Sequence, residues 1–261
     1  GNGARAESLG VAGTCGGDGA ANPGCRIVPI KITKGANRAA TSWDIARAIL
    51  YATGCHARAL NLSFAGGGAS RLERLALFEA ITHGCVIVAA AGNSGAVNGT
   101  AAQYPAAYAA DGLCVQVGAS DAFDARAAFS SYGPGLDVVA PGVEIWSTAL
   151  TYPNAWDFTS DGYLPVSGTS LAAPFATGTI GLLAAARPEL ADTDFQRILH
   201  ASARDIGAPG WDRETGWGRL DAAAALEAVP PGVGIWHDEA AATLFRADST
   251  AALAAGETGP A

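Results

Sequence analysis

One uninterrupted apolar run constrains the fold more than any other stretch of the chain. Residues 85–91 read Cys-Val-Ile-Val-Ala-Ala-Ala, with no polar residue among them. A strand with one face in water alternates apolar and polar residues, whereas a continuous run is typical of a strand buried on both faces. Such a strand needs helices on either side of its sheet, so the run predicts a layered fold around a parallel sheet.

The segments before this run alternate between strand and helix patterns. In order they are a strand (26–32), a helix (41–52), a strand (59–63) and a helix that carries Leu72, Leu75, Phe78 and Ile81. Two pairs, Thr41 with Asp44 and Ser70 with Glu73, have the three-residue spacing of a capping box at a helix start. Strand and helix in alternation favour parallel pairing through crossover helices.

The segments after the run continue the pattern. Strands are predicted at 113–117 and 136–140, with a weaker candidate at 143–147. Residues 170–186 are nearly all Ala, Leu, Ile and Gly, which predicts a buried central helix with Pro174 in its first turn. Thr193 and Gln196 are expected to cap a further helix. The chain is therefore predicted to be α/β, with a mostly parallel sheet and helices on both faces.

Composition narrows the functional classes. The chain has 261 residues, of which 49% are hydrophobic and 15% charged, as in one sizeable domain or a domain with a tail. Its net charge is -8, the opposite of the balance expected of a general nucleic-acid binder. No apolar run is long enough to span a membrane, and no secretory signal pattern opens the chain. Because the sequence contains no methionine, we expect a processed or truncated piece.

The five cysteines do not form a metal-binding pattern. There is no C-x-x-C pair, so zinc and thioredoxin-like interpretations are weak. Cys85 and Cys114 lie in apolar strand patterns and are interpreted as small buried hydrophobic residues. One disulfide among Cys15, Cys25 and Cys55 is left open at this point.

A serine at the start of the long apolar helix is the first candidate for chemistry. In the stretch Val166–Pro174, Ser170 follows a glycine and a threonine and precedes the helical pattern. The simplest interpretation of Ser170 is a helix cap, since serine is a favoured N-cap. The alternative is a nucleophile on a tight turn. Residues 63–68 and 92–95 each follow the end of a predicted strand. In a parallel sheet these ends open onto one crevice, and the approach to Ser170 leads to the same crevice, which favours a functional site at Ser170.

Several segments, in order, resemble the subtilisin-like serine peptidases between Arg26 and Leu226. The segments are 60–67, 86–95, 104–106, 129–134, 136–142, 168–178 and 216–222. The resemblance implies a subtilisin-like three-layer fold that is incomplete at its N-terminus. It implies that Ser170 attacks the scissile carbonyl and that the Asn93 amide and the Ser170 N–H stabilise the oxyanion. Without the serine segment, Gly-Asn-Ser-Gly around Asn93 would be interpreted as a turn.

The same resemblance implies a place for the substrate. Ser63, Phe64, Ala65 and Gly66 would form an edge that pairs with an extended peptide, and Ala91 and Gly92 would line a pocket of small apolar surface. We expect that pocket to prefer a medium or large apolar side chain. The segment could otherwise be an ordinary loop or a phosphate loop, but no G-x-x-x-x-G-K-S pattern follows.

The family's triad has Asp, His and Ser in that order, and only the serine is matched. None of the four histidines stands in a His-Gly-Thr segment. Asn2 could occupy the histidine position, or the glycine-rich start does not align at all; the aspartate is expected upstream. Because an amide cannot act as a general base near neutral pH, we expect this polypeptide alone to hydrolyse peptides poorly.

Two alternatives remain beside the peptidase. One is a non-catalytic relative that keeps a peptide-binding groove. The weaker one is an α/β-hydrolase esterase, which would need glycine where Ala172 stands in G-x-S-x-G.

The expected organisation is a peptidase domain at residues 1–229 followed by a linker or tail at 230–261 that leads towards a further domain. The family resemblance implies export and a polypeptide substrate. It also implies calcium, for which no residue is assigned, and no other cofactor is expected.

Overall fold

The computed structural model describes residues 11, 13–15, 24–33, 39–66, 68–97, 103–151 and 162–229, together with two strands at 233–238 and 243–248. Asn2 lies outside the described residues, so its predicted equivalence to a histidine stays a prediction. The predicted boundary between a peptidase domain and a tail at residue 229 likewise stays a prediction.

Four parallel strands form the central sheet in the order in which they occur in the chain. They are β1 (Ala59–Leu62), β2 (Val86–Ala90), β3 (Val115–Ser120) and β4 (Val138–Pro141). The register pairs Leu60 with Ile87, Val88 with Val115 and Val117 with Val138. All five residues of β2 are buried, as the continuous apolar run predicted.

Helices cover both faces of this sheet, which confirms the three-layer α/β prediction. They are α1 (Ser42–Gly54), α2 (Arg71–Thr82), α3 (Thr169–Ala186), α4 (Asp192–Ser202), α5 (Ala222–Glu227) and a 3-10 helix at Ala106–Asp111. The side chains of β2 alternate between the layers. Val86 and Val88 pack into a cluster with α3 and α4, whereas Ile87 and Ala89 pack into a cluster with α1 and α2.

The capping residues at the starts of α1 and α2 are the ones that the sequence predicts, but one hydrogen bond at α2 has a different partner. At α1, Thr41 Oγ accepts from the Asp44 N–H and the Asp44 carboxylate accepts from the Thr41 N–H, so the predicted capping box is present. At α2, Ser70 Oγ accepts from the Glu73 N–H, but the Ser70 N–H donates to the Tyr108 hydroxyl at 2.7 Å. A tertiary contact therefore replaces the second half of the predicted box.

The long apolar helix α3 packs against one face of the central sheet. Its length and mean hydropathy of 1.3 would also suit a membrane span, and it is the one such helix within the described part of the chain. Ile180 and Leu183 are fully buried in the cluster with β2, β3 and β4. Packing against the sheet accounts for the apolar character of α3.

Three sequence predictions about elements are wrong in detail. Residues 26–33 form no strand, because Pro29 has no N–H to donate and the side chains of Ile27 and Val28 are 60% and 48% exposed. Thr193 does not cap α4; the helix begins at Asp192, and Asp194 accepts from the Ala191 N–H at 3.1 Å.

Pro174 is the sixth residue of α3 rather than part of its first turn. At this position, the missing N–H of Pro174 leaves the Ser170 carbonyl without its usual helical partner.

Two antiparallel ribbons lie outside the central sheet. Strand β5 (Ile145–Thr148) corresponds to the weaker strand prediction and pairs with β6 (Tyr163–Val166), which leads into α3. Strands β7 (Val233–Asp238) and β8 (Thr243–Asp248) pair within the stretch predicted to be a linker or tail. Strands therefore form in a stretch whose Ala, Gly and Thr content gave no clear strand signal.

Candidate active site

The serine at the start of α3 does not cap the helix. Gly168 occupies the N-cap position and Ser170 is the second residue of the helix, where no side-chain cap hydrogen bond forms. The Ser170 hydroxyl donates to no other group among the residues that the structure describes. The structural interpretation of Ser170 as a cap is therefore wrong, and the hydroxyl stands at the positive end of a long helix.

The Asn93 carboxamide is held by the residue that precedes this serine. Its Oδ1 accepts both from the Thr169 N–H at 2.9 Å and from the Thr169 hydroxyl at 2.9 Å. Because a backbone N–H can only donate, the atom that faces it must be the oxygen, and Nδ2 is left to donate elsewhere. Asn93 is exposed, and its Nδ2 lies close to Gly168, at 3.3 Å from the position a Cβ would take there.

Gly92 completes this contact between two loops. Its N–H donates to the Thr169 hydroxyl at 3.2 Å, and its carbonyl accepts from the Ser131 N–H at 2.9 Å. Its φ is +105°, and a Cβ would lie 3.0 Å from Gln103 Cγ and 3.1 Å from Ser131 Oγ. Only glycine meets both demands without strain, so the loop that carries Asn93 is built around this position.

A proline in α3 frees the carbonyl of Ser170 for another partner. In an α-helix that carbonyl would accept from the N–H four residues later, which is Pro174 and has none. The Ser63 hydroxyl donates to the Ser170 carbonyl instead, at 2.8 Å. The end of β1 is thereby tied to the backbone of Ser170.

Two further polar side chains support Ser63, and sequence reasoning missed both. The Asn61 amide donates to Ser63 Oγ at 2.8 Å, and Thr177 donates to Asn61 Oδ1 at 3.0 Å. Thr177 lies two turns after Ser170 on α3, so the chain of contacts returns to the helix on which it began. The missing N–H of Pro174 is the one sequence signal that pointed to an outside donor here.

The predicted substrate edge is only partly open. The N–H and the carbonyl of Gly66 both pair with Tyr104, at 2.8 Å each. Ser63, Phe64 and Ala65 precede this pairing and belong to no strand. An added peptide strand would therefore reach the backbone of residues 63–65 rather than that of Gly66.

The predicted pocket residues differ in how they meet solvent. Ala91 is fully buried and packs with Leu136 and Val139, so its side chain adds no open surface. Gly92 is also buried but borders the loop of Asn93, beside Gln103. Of the two, Gly92 is the one adjacent to the candidate site.

Comparison with known proteins confirms the family resemblance. The model of the subtilase family (Peptidase_S8) matches residues 9–218, which starts before the first segment of resemblance noted above. The chain belongs to the subtilase family.

Individual subtilases are similar over most of this chain. Fervidolysin of Fervidobacterium pennivorans is 34% identical over 229 residues, which cover 80% of this chain and 32% of fervidolysin. Subtilisin BL of Lederbergia lenta is 33% identical over 202 residues, which cover 77% of this chain and 66% of that protein. The chain thus spans less than two thirds of the length of these relatives.

Solved structures agree on the fold. The crystal structure of fervidolysin, described as a keratinolytic enzyme related to subtilisin, aligns with a TM-score of 0.65 at 32% identity over 78% of this chain and 31% of that one. A lanthipeptide protease aligns with a TM-score of 0.66 at 23% identity over 76% and 70% of the two chains, a likeness of fold alone.

Two histidines of this subtilase bond to groups away from Ser170. His200 Nε2 bonds to the Asp137 carboxylate at 2.7 Å and its ring stacks on Trp217 at 5.5 Å. His83 caps the end of α2 and bonds to the Glu79 carbonyl at 2.9 Å. His56 follows α1. The described part of this subtilase therefore pairs Ser170 with no histidine.

No metal-binding residue is assigned from the sequence. Within the described ranges, no group of three or more His, Cys, Asp or Glu side chains could hold a metal ion. Calcium binding stays a prediction from the family resemblance.

Proposed function

We propose that this subtilase is a serine endopeptidase that hydrolyses peptide bonds through an acyl-enzyme on Ser170. The observation that carries the proposal is the double hydrogen bond from Thr169 to Asn93 Oδ1, which leaves Nδ2 as a donor beside the turn of Ser170. A preorganised donor at that place is what a developing oxyanion requires. The esterase alternative is not retained, since the chain belongs to another family.

The proposed first step is attack of Ser170 Oγ on the scissile carbonyl. Negative charge would develop on the carbonyl oxygen and be stabilised by Asn93 Nδ2 and the Ser170 N–H, at the positive end of α3. Removing one such donor costs about 2.7–4 kcal/mol of transition-state stabilisation in comparable sites. The hydrogen bonds of Thr169 keep Asn93 from turning its oxygen towards the oxyanion.

The hydroxyl of Ser170 needs a base to take its proton. A neutral serine hydroxyl is a weak nucleophile until a neighbouring group accepts that proton. We propose that the base lies outside the residues described here and that this polypeptide alone turns over peptides poorly. Appreciable turnover by this polypeptide that disappears in Ser170→Ala would contradict the second statement.

The substrate is proposed to lie along residues 63–65. The side chain of the residue before the cleaved bond would then lie near Gly92. Gln103 contributes apolar surface there, because its Cγ lies 3.0 Å from the place that a Cβ on Gly92 would take. We therefore propose a preference for a medium or large apolar residue before the cleaved bond. A peptide library cleaved by the protein made from its complete gene would test this, and a preference for charged residues would contradict it.

The activity itself is tested by turnover of quenched peptides with the same full-length protein. Wild type should cleave them, and Ser170→Ala should lose at least a thousandfold in kcat/KM while its thermal midpoint stays unchanged. Ser202→Ala is a matched control, because Ser202 lies on α4 and bonds only to the Ile198 carbonyl. A folded wild type without turnover would favour the non-catalytic, peptide-binding relative.

We also propose that the protein acts outside the cytoplasm. A similar relative, 33% identical over 231 residues covering 80% of this chain and 24% of its own, is a cell wall-associated protease of Bacillus subtilis. Fractionation of producing cells would test the proposal, and retention in the cytosol would contradict it.

A further inference from the structure

Two glycines in the middle of α3 mark a close contact with an earlier part of the chain. Gly178 and Gly181 are three residues apart and therefore share a face of the helix. A Cβ on Gly178 would lie 2.7 Å from Thr14 Cβ and 3.2 Å from Cys15 Sγ. The segment that carries Thr14 and Cys15 thus rests directly on the backbone of α3.

The second glycine brings two sulfur atoms to one place. A Cβ on Gly181 would lie 2.6 Å from Cys25 Sγ and 3.9 Å from Cys15 Sγ. The two sulfurs are therefore separated by no more than the sum of these distances, and their thiols are joined by a hydrogen bond. An S–S bond of about 2.05 Å requires the two sulfurs to approach each other further, by movement of their side chains.

We propose that Cys15 and Cys25 form a disulfide that is seated on the Gly178–Gly181 face of α3. The glycines provide the space for the bridge, since a larger residue at either position would occupy the place of the sulfurs.

The other three cysteines lie elsewhere in the fold. Cys55 is exposed after α1. Cys85 and Cys114 are buried, and the Cys114 thiol faces the carbonyls of Pro105 and Ala106 at 3.6 Å. The proposal therefore selects one pairing and leaves Cys55, Cys85 and Cys114 as thiols.

The two thiols differ in a way that suits bond formation. The hydrogen bond from Cys25 lowers the pKa of Cys15 to about 7, which favours the thiolate that attacks a disulfide. The same hydrogen bond, followed by burial, raises the pKa of Cys25. In the Cys85 thiol, burial raises the pKa to about 12, so Cys85 does not compete as a nucleophile.

The bridge forms by exchange with a low-molecular-weight disulfide such as oxidised glutathione. The Cys15 thiolate attacks one sulfur of that disulfide, which gives a mixed disulfide and releases one thiolate. Cys25 then loses its proton to solvent and attacks Cys15 Sγ, which closes the protein disulfide and releases the second thiolate. Two protein thiols are oxidised and one small disulfide is reduced to two thiols.

The pairing can be read from one peptide. Trypsin cleaves after Arg5 and Arg26, so the peptide 6–26 contains Cys15 and Cys25 and no other cysteine. After incubation of the folded protein with oxidised glutathione, we expect the peptide to be lighter by two hydrogens and to take up iodoacetamide only after reduction. Further cleavage before Asp18 should leave two fragments joined until a reductant is added.

The effect on stability gives a second, independent measurement. The bridge closes a short loop in the unfolded chain, so reduction should lower the thermal midpoint by about 5 °C. Cys55→Ser should keep this response to reductant, and the double variant Cys15→Ser with Cys25→Ser should lose it.

Opposite results would overturn the proposal. These are a peptide 6–26 that takes up two iodoacetamide groups without reduction after the glutathione treatment, or a bridge that contains Cys55. A thermal midpoint that responds to reductant equally in the double variant would also overturn it. The mass measurement uses the unaltered chain, so misfolding of a variant cannot imitate the expected result.

Discussion

The first turn of α3 and its middle turns are held by different kinds of contact. At the first turn, Thr169 makes three hydrogen bonds, two with Asn93 and one with Gly92, and the Ser170 carbonyl takes a fourth from Ser63. The middle turns bury Ile180 against the sheet and bring Gly178 onto Thr14. Directional contacts fix the place of a reacting group, whereas close packing holds the helix on the fold.

The largest expected effect belongs to the middle of the helix. Ile180→Ala should lower the free energy of unfolding by about 2–5 kcal/mol, because it leaves a cavity at a fully buried position. Leu182→Ala is the matched control, since Leu182 is only partly buried and should cost less. Urea denaturation of both variants measures the difference, and equal losses would contradict the assignment of the core face.

The next effect tests the first turn. Thr169→Val keeps the shape of a fully buried side chain but leaves the Gly92 N–H without its acceptor, which should cost about 1–3 kcal/mol. Thr179→Val is the control: its hydroxyl bonds only to the Phe175 carbonyl of its own helix, so its loss should be smaller. If denaturation ranks the two variants the other way, the polar contacts do not hold this turn.

A smaller effect is expected where α3 approaches the N-terminal segment. Gly178→Ala gains helix propensity but places its Cβ 2.7 Å from Thr14 Cβ, so a net loss of about 1 kcal/mol is expected. Gly54→Ala, at the end of α1 with nothing within 4 Å of its Cβ, should be neutral or stabilising. Thermal denaturation of the two variants measures these changes in stability. Stabilisation by both substitutions would contradict the close contact between Gly178 and Thr14.

The smallest effect belongs to the tie from β1. Ser63→Ala removes the donor to the Ser170 carbonyl and should cost about 0.5 kcal/mol, since the site is only partly buried. Ser63→Thr keeps a hydroxyl and should restore most of the loss. Urea denaturation measures the stabilities. Equal stabilities of the Ala variant and wild type would show that water replaces the Ser63 hydroxyl as donor to the Ser170 carbonyl without loss.

Local patterns predicted the layers of this molecule well. The apolar run at 85–91 gave the central strand because burial on both faces leaves no place for polar residues. The Thr41 capping box depends only on residues within one turn and was confirmed. The strand predicted at 26–32 was wrong because β-branched composition alone does not provide a partner strand, and Pro29 interrupts the donors.

The contacts within the candidate site could not be predicted from local sequence patterns. The resemblance named Ser170 and Asn93, but the bond from Ser63 to the Ser170 carbonyl joins residues 107 positions apart. Likewise the burial of Ala91 depends on Leu136 and Val139, which lie on a different strand and the loop before it. Such pairings are decided by the register of the sheet, which no local pattern encodes.

The pair of Ser170 and Asn93 is tested most directly by a fluorophosphonate probe on the protein made from its complete gene. We expect wild type to be labelled at Ser170, Ser170→Ala to remain unlabelled, and Asn93→Ala, at a temperature at which it stays folded, to be labelled about a hundredfold more slowly. Labelling of Asn93→Ala at the wild-type rate, or of Ser170→Ala at another residue to the same extent, would contradict the account.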